Sequence, residues 1–222
     1  MESKVKLLPL FRFAVRSLMA VMLLAIVAVP LSAGTMTVTV QSDASNLGAS
    51  VLDTSVLASG NTSGLTFTPV GTVYTGSFTP VPAGAPAGTI QVQVPPQPSF
   101  NQGNSGFVET TFTLPAIFSG ISLTGAGNVD DVGYVFLNGH LIGSGLFEFG
   151  DTSFSTNVAS FFLPGVNTLI ISDDNSGGGP SGVAYYANIS YSTSATPEPS
   201  TMIMLATGLA GVAGAIRRKL AL

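Results

Sequence analysis

Two doublets of adjacent carboxylates are the residues of this chain best suited to chemistry. Asp130-Asp131 and Asp173-Asp174 each lie among residues rich in glycine, asparagine and serine, which is typical of loops. Two carboxylates can serve as the acid and base of glycoside hydrolysis when they are about 5 to 9.5 Å apart. Adjacent side chains on a strand point to opposite faces. Neither doublet is therefore a facing pair, and hydrolysis would need one acid from each loop.

Calcium binding makes better use of these oxygens. Hard cations take carboxylate and carbonyl oxygens from loops, and the middle of the chain has no Lys or Arg to pair with its acids. The chain has no EF-hand spacing, and the alternative interpretation is that these acids are solvated turn residues that aid solubility. The two candidate calcium ligand sets are Asn128, Asp130 and Asp131, or Asp173, Asp174 and Asn175.

Sugar sites combine a few polar groups with an aromatic ring. Candidates of both kinds lie close to the same loops. The ring could come from Tyr134, Tyr185, Tyr186 or Phe147. The alternatives are a surface turn for His140 and ordinary core packing for these aromatic residues. Alternating threonines (Thr35, Thr37 and Thr39) resemble an ice-binding array on one strand face, although threonine's strand propensity explains them without ice. The candidate carbohydrate contacts are Asp130, Asp131, Asn138, His140, Asn175 and Tyr185.

The distribution of charge excludes several classes of function. The 222 residues carry a formal net charge of -4, but all seven Lys and Arg residues lie outside residues 34–196. Because phosphate contacts need cationic side chains, nucleic-acid binding by this middle part is excluded, and anionic substrates are disfavoured. The absence of cysteine rules out disulfides and thiolate metal sites. The acids of the middle part are Asp43, Asp53, Glu109, Asp130, Asp131, Glu148, Asp151, Asp173 and Asp174.

The elements that must position these residues are predicted to be strands. Residues 34–196 have no long helical period, and polar and apolar residues alternate at 35–40 and 90–94. Asn138-Gly139 between two apolar runs predicts a type I′ hairpin. We therefore predict an all-β fold with a single β-sandwich of the jelly-roll type. Candidate strands are 35–41, 65–67, 72–78, 89–94, 108–114, 117–124, 133–137, 140–142, 167–172 and 183–192.

The two ends of the chain have the layout of targeting segments. Residues 1–33 combine a basic start, an apolar run at 18–29 and small residues up to Ala33, which predicts a cleaved signal peptide rather than an uncleaved anchor. At the other end, an apolar run at 201–216 follows Pro197-Glu198-Pro199 and precedes Arg217-Arg218-Lys219. Sixteen helical residues rise about 24 Å, slightly short of a hydrocarbon core of about 30 Å. We predict a transmembrane helix with a cytoplasmic C-terminus, the alternative being a buried helix.

This tail closely resembles the PEP-CTERM sorting signal of Gram-negative bacteria that make exopolysaccharide. Pro197, Glu198 and Pro199 match its motif, residues 201–216 its span, and Arg217, Arg218 and Lys219 its basic stop. The same tail is also known as the C-terminal domain of ice-binding proteins. The resemblance implies recognition and cleavage near the motif by an exosortase, after removal of the signal peptide by signal peptidase. It implies an address and does not identify the activity of residues 34–196.

A second resemblance covers about 85 residues of the middle part. Residues 107–115, the acidic turn and Leu137-Asn138-Gly139 at 130–139, the Gly-x-Asn-x-Leu run at 165–169 and the Gly-rich loop at 173–183 follow one another as in galactose-binding-like jelly rolls. Those folds serve as carbohydrate-binding modules and as accessory domains of glycosidases. The resemblance implies a carbohydrate-binding module.

The sequence thus predicts a signal peptide (1–33), a β-sandwich (34–196) and a PEP-CTERM sorting signal (197–222). We expect a non-enzymatic, exported protein of the envelope or matrix that binds exopolysaccharide, with calcium as the one candidate cofactor. We expect it to be anchored to the membrane transiently and then to reach the cell surface or the medium. A structural or adhesive protein without a specific ligand is the first alternative, and a glycan hydrolase that uses Asp130 or Asp173 is the second.

Overall fold

The computed structural model describes residues 34–71, 80–94, 105–176, 181–193 and 199–220. The predicted signal peptide, the candidate strand at 72–78, and Pro197 and Glu198 of the sorting motif lie outside the described residues. The chain divides into two compact units. One is Gly34–Thr193, and the other comprises Met1–Ala33 and Ser194–Leu222.

The unit Gly34–Thr193 is built from antiparallel strands in two sheets. We call them the front sheet, with the order β1-β11-β6-β9 and β4 paired to one end of β11, and the back sheet, with the order β3-β2-β5-β10-β7-β8. The strands are β1 (Gly34–Gln41), β2 (Leu47–Ser50), β3 (Thr68–Pro69), β4 (Val92–Gln93), β5 (Gly106–Leu114), β6 (Ser119–Val129), β7 (Val132–Leu137), β8 (His140–Leu146), β9 (Thr152–Thr156), β10 (Gly165–Asp174) and β11 (Gly182–Thr193).

The path of the chain through these sheets is that of a jelly roll. From β4 to β11, consecutive strands lie in opposite sheets, except for β7 and β8, which form a hairpin in the back sheet. This hairpin turns at Asn138 and Gly139, whose φ angles of 50° and 80° are the positive values that a type I′ turn requires. The predictions of a single jelly-roll sandwich and of this hairpin are both confirmed.

The main core lies between the two sheets. Alternate residues of β11 point inward and are buried, namely Val183, Tyr185, Ala187, Ile189 and Tyr191. From Tyr185 to Tyr191, the residues between these buried ones are partly exposed. On β10, Leu169 and Ile171 meet them from the back sheet. This alternation follows from the period of two along a strand, which sends neighbouring side chains to opposite faces.

A second, smaller core covers the outer side of the back sheet. The segment after β2 contains a 3-10 helix, Thr54–Ser59, and its Leu57 is buried against Phe107, Phe136 and Ile170 from three back-sheet strands. The sequence interpretation did not anticipate this layer. Because this layer covers the back sheet, the front sheet is the one whose outer face is open.

The C-terminal unit contains one described helix, α1 (Pro199–Leu220). Arg217, Arg218 and Lys219 are exposed in its last turn. Within the part of the chain that the structure describes, no helix combines the length and apolar character needed to cross a membrane. The helix itself is therefore confirmed, but its prediction as a transmembrane span is not supported. The side chains of α1 are described over 205–219, and that stretch contains three glycines and the three cations.

Candidate functional site

The outer side of the front sheet is covered mainly by uncharged side chains that can form hydrogen bonds. Because core residues alternate with outward residues on each strand, the outward positions can be assigned from the strand registers. Apart from Ala126 on β6, which lies between Tyr186 and Ser153, they are hydroxyl and amide residues together with one tyrosine. We call this surface the polar face, which consists of Thr35, Thr37, Thr39 and Gln41 on β1, Tyr186, Asn188, Ser190 and Ser192 on β11, Ser122 and Thr124 on β6, and Ser153 and Ser155 on β9.

The strand registers arrange the polar face in rows. Thr39, Asn188, Thr124 and Ser155 stand side by side across β1, β11, β6 and β9. Neighbouring strands are about 4.8 Å apart, and successive outward residues are about 7 Å apart along a strand. Thr39 Oγ1 donates to Asn188 Oδ1 at 2.7 Å, which leaves the amide nitrogen of Asn188 to donate elsewhere. The face thus presents donors and acceptors at short, regular intervals.

An open groove with a volume of about 420 Å³ runs over this face. Tyr186 and Asn188 of β11 line one side, and Ser153 and Ser155 of β9 line the other, with Thr124 between them. Gly125 and Phe154 complete the lining. Tyrosine is the one titratable residue type among these lining residues. A groove with hydroxyl groups, an amide and one amphipathic ring suits a neutral polyhydroxylated ligand.

Residues 80–90 form a wall beside Tyr186. The Tyr186 hydroxyl group lies 3.5 Å from the carbonyl oxygen of Ala83. Asn128 and Asp151 attach the wall to the sheet, since Asn128 Nδ2 donates to the Pro80 carbonyl at 2.8 Å and Asp151 Oδ2 accepts from the Ala83 amide at 3.3 Å. The two side chains are also bonded to each other, with Asn128 Nδ2 2.9 Å from Asp151 Oδ1. Asn128, a candidate calcium ligand by sequence, is therefore placed under this wall.

The candidate sugar contacts from the sequence lie away from the groove. Tyr185 is fully buried in the core, and Asn175 is 5% exposed. The neighbouring residue Tyr186 is the tyrosine that reaches the polar face. His140 is exposed at the tip of the β7–β8 hairpin and stacks on Phe161, with ring centroids 4.2 Å apart. The structure therefore gives none of these three residues a place on the polar face.

Asn138, the fourth of these candidates, is part of a structural network with Asn167. Asn138 Nδ2 donates to Asn167 Oδ1 and to the Phe161 carbonyl, each at 2.8 Å, and Asn138 Oδ1 accepts from the Thr168 amide. Asn167 is fully buried, and its amide group also bonds to Leu163 at both the amide and the carbonyl. The Leu-Asn-Gly and Gly-x-Asn-x-Leu runs of the sequence thus bond to each other and hold the β7–β8 hairpin against β10.

The two acidic doublets meet at one end of the sandwich. Asp130 and Asp131 form the turn between β6 and β7, and β10, which ends with Asp173 and Asp174, pairs with β7 beside that turn. Burial, followed by the charges of Asp131 and Glu148, raises the pKa of Asp130 to about 6. Burial, followed by the charges of Asp130, Asp131 and Asp174, raises the pKa of Asp173 well above its ordinary value. Among the described residues, no three acidic or histidine side chains already converge as a metal ligand set.

Sequence reasoning considered Tyr186 only as one of four possible sugar-stacking rings, and it missed Asn188 and the serines of β9. A signal for β11 was present, because Tyr186, Asn188, Ser190 and Ser192 alternate with core residues just as the threonines of β1 do. Residues 152–156 gave no comparable signal, since Phe154 is the one large apolar residue of β9. The rows across four strands depend on pairing between distant segments and could not be read from any one of them.

Comparison with solved structures finds distant similarity to β-glucuronidases. The Faecalibacterium prausnitzii enzyme is 18% identical over 63% of this chain and 21% of its own, with a TM-score of 0.36. The Ruminococcus gnavus enzyme is 15% identical over 70% and 29%, with a TM-score of 0.41. The chain spans less than a third of the length of these enzymes. None of the curated proteins matches it in sequence.

The tail is the part of the chain that comparison identifies. Residues 195–219 match the model of the PEP-CTERM protein-sorting motif. They include Pro197, Glu198 and Pro199, the apolar stretch of α1 and the cluster Arg217 to Lys219. This motif indicates export and processing by an exosortase. The chain therefore carries a PEP-CTERM sorting motif that follows its jelly-roll unit in the sequence.

Proposed function

We propose that this protein is an exported, non-enzymatic component of the cell envelope or matrix whose polar face binds a neutral polysaccharide. The groove between Tyr186 and the serines of β9 is the observation that carries the proposal. Sugar hydroxyl groups donate and accept hydrogen bonds at short intervals, as the rows of the polar face do. The Tyr186 ring offers an apolar surface for a pyranose ring. The glycan expected from the tail is the exopolysaccharide of the producing cell.

The charge of the chain supports a neutral ligand. Residues 34–196 carry nine acids and no Lys or Arg, so a polyanionic glycan would be repelled by the unit as a whole. The lining of the groove adds neither a carboxylate nor a cation. Neutral glycans pay no such electrostatic penalty, and they are bound through hydrogen bonds and ring contacts alone.

Arguments from the residues disfavour the hydrolase alternative. Asp173 is fully buried, so its carboxyl group is out of reach of a glycan, and Asp130 lies at the end of the sandwich rather than in the groove. Release of reducing ends from a bound polysaccharide, abolished by Asp130→Asn, would revive that alternative.

The tail supports membrane attachment of the unprocessed chain at the inner membrane and release or surface display after exosortase cleavage.

The proposal is tested by affinity electrophoresis of the full-length protein, in mild detergent, through gels that contain defined polysaccharides. We expect retardation by at least one neutral glucan or galactan and none by alginate, a polyuronate. Tyr186→Ala should weaken the interaction about tenfold, which corresponds to about 1.4 kcal/mol. No retardation by any neutral polysaccharide would contradict the proposal and favour a structural or adhesive protein without a specific ligand.

A matched pair of threonine variants separates groove contacts from general surface effects. Thr124 is exposed in the groove on β6, whereas Thr113 is exposed on β5 in the back sheet. Thr124→Ala should reduce retardation, and Thr113→Ala should leave it unchanged. Equal effects of the two variants would place the binding surface elsewhere.

A further inference from the structure

The Asp173 carboxyl group is buried without a hydrogen-bond partner. The residue is fully buried, and neither of its carboxylate oxygens has a partner in the structure. Because Leu169 and Ile171 point into the main core, the alternation of β10 turns Asp173 toward the same space between the sheets. Its register partners on β5 and β7 are both glycines, Gly106 and Gly133, so no side chain flanks it within the back sheet.

Three further carboxylates lie at the same end of the sandwich as this buried group. Asp174 follows it on β10 opposite Val132, and Asp130-Asp131 form the adjoining turn. Ser176 Oγ donates to Asp131 Oδ2 at 3.1 Å, which connects the segment after β10 to that turn. Burial, followed by the charges of these three neighbours, raises the pKa of Asp173. We call these four residues the acidic end.

Protonation alone does not satisfy the acidic end. A protonated Asp173 would lose its charge but would still bury a hydroxyl donor and a carbonyl acceptor without partners, which is costly. Ser181 Oγ is a second buried oxygen without a partner, and it immediately precedes β11 at the same end, where the Gly182 carbonyl accepts from the Asp130 amide at 3.0 Å. Carboxylate and hydroxyl oxygens that lack protein partners are the ligands that a hard cation takes.

We propose that the acidic end binds a hard divalent cation of the calcium class, with Asp173 as its innermost ligand. Asp130 and Asp131 close over the ion from the turn, and main-chain carbonyl and hydroxyl oxygens complete the shell, as calcium readily allows. Since no three side chains already converge there among the described residues, binding requires the turn at 130–131 to move inward. The proposal is independent of glycan binding, because the acidic end and the groove share no residue.

The test is the thermal stability of the full-length protein in mild detergent at pH 7.5, first in EDTA and then in increasing CaCl2. We expect a saturable rise of about 5 °C in the unfolding midpoint, because a ligand that binds only the folded state stabilises it. Asp173→Asn should abolish the rise. Glu109→Gln, which removes a partly buried acid from β5 outside the acidic end, should retain it in full.

Two further measurements keep the outcome unambiguous. Isothermal titration with CaCl2 should give one site per chain for the wild type and none for Asp173→Asn; Asp130→Asn serves as the second variant if Asp173→Asn does not fold. NaCl at matched ionic strength should produce less than a quarter of the calcium-induced rise. An equal rise in NaCl would show charge screening only and overturn the proposal, as would the absence of any rise in millimolar calcium.

Discussion

Asparagine has three different uses in this unit. Asn138 and Asn167 bond to each other and to the main chain, Asn128 holds the wall of the groove, and Asn188 faces solvent in the groove itself. Burial separates these uses, since Asn128 and Asn167 are fully buried whereas Asn188 is partly exposed. A buried amide must find partners for all of its polar atoms, so the buried asparagines are structural and the exposed one remains available to a ligand.

We predict that Asn167→Ala lowers the free energy of unfolding by about 3 kcal/mol. The substitution removes the partner of the Leu163 amide and carbonyl and of Asn138, and each buried polar group left without a partner costs about 1–3 kcal/mol. Urea unfolding of the full-length protein measures the loss. Asn188→Ala is the matched control on the polar face and should change stability by less than about 0.5 kcal/mol. Equal losses for the two variants would contradict the structural role of Asn167.

At the scale of elements, the segment after β2 converts the outer side of the back sheet into a second core. Gly60 ends its 3-10 helix with a φ of 64°, in the left-handed region that favours glycine. A Cβ atom at this position would come within 2.6 Å of the Phe136 ring. Close packing of the segment on the sheet therefore depends on the absence of a side chain here.

We predict that Gly60→Ala destabilises the protein more than Gly64→Ala does. Gly64 also has a positive φ, of 82°, but a Cβ atom there would meet nothing within 4 Å. Gly64→Ala should therefore cost only the backbone strain, about 1–2 kcal/mol. Gly60→Ala should cost at least about 1 kcal/mol more, because the Phe136 ring must move. Chemical unfolding of both variants tests the difference, and identical costs would mean that the segment is not packed against Phe136.

The elements also show how far the sequence could predict the fold and the site. Alternation at 35–40 and 90–94 and the Asn138-Gly139 turn made the jelly roll predictable from local patterns. β2 and β9 were missed because each carries few apolar residues and gains its place by pairing with a distant strand. The groove was missed for the same reason, since its two sides come from β9 and β11 and meet only through β6.

At the scale of the whole molecule, charge is separated along the chain. All seven basic residues lie in the two terminal segments, whereas residues 34–196 contain nine acids without a basic partner. Salt bridges to Lys or Arg are therefore not available within the jelly-roll unit. Its packing relies on apolar burial and neutral hydrogen bonds. Folding brings the carboxylates of the acidic end close together, and their mutual repulsion opposes folding when they are ionised.

This imbalance predicts that the protein is more stable at pH 5 than at pH 7.5 when EDTA removes divalent cations. The folded-state pKa of Asp130 is raised to about 6 by burial, Asp131 and Glu148, and that of Asp173 is raised further by burial and its acidic neighbours. An unfolded aspartate has a pKa of about 3.9. The folded state thus binds more protons than the unfolded state across this window, so stability falls as pH rises through the folded pKa values.

Thermal unfolding of the full-length protein at the two pH values measures the effect. Asp53 acts in the opposite direction, because hydrogen bonds from Ser55 lower its pKa, but its contribution is lost at lower pH than the window compared here. An Asp130→Asn and Asp173→Asn double variant should have a much shallower profile between pH 5 and 7.5, since neither amide titrates. The slope that remains comes from Glu109 and Asp174, whose pKa values are also raised by burial. A wild-type midpoint that rises with pH would show that the acidic end is already neutralised by partners within the protein. A wild-type slope retained in full in the double variant would assign the effect to other acids.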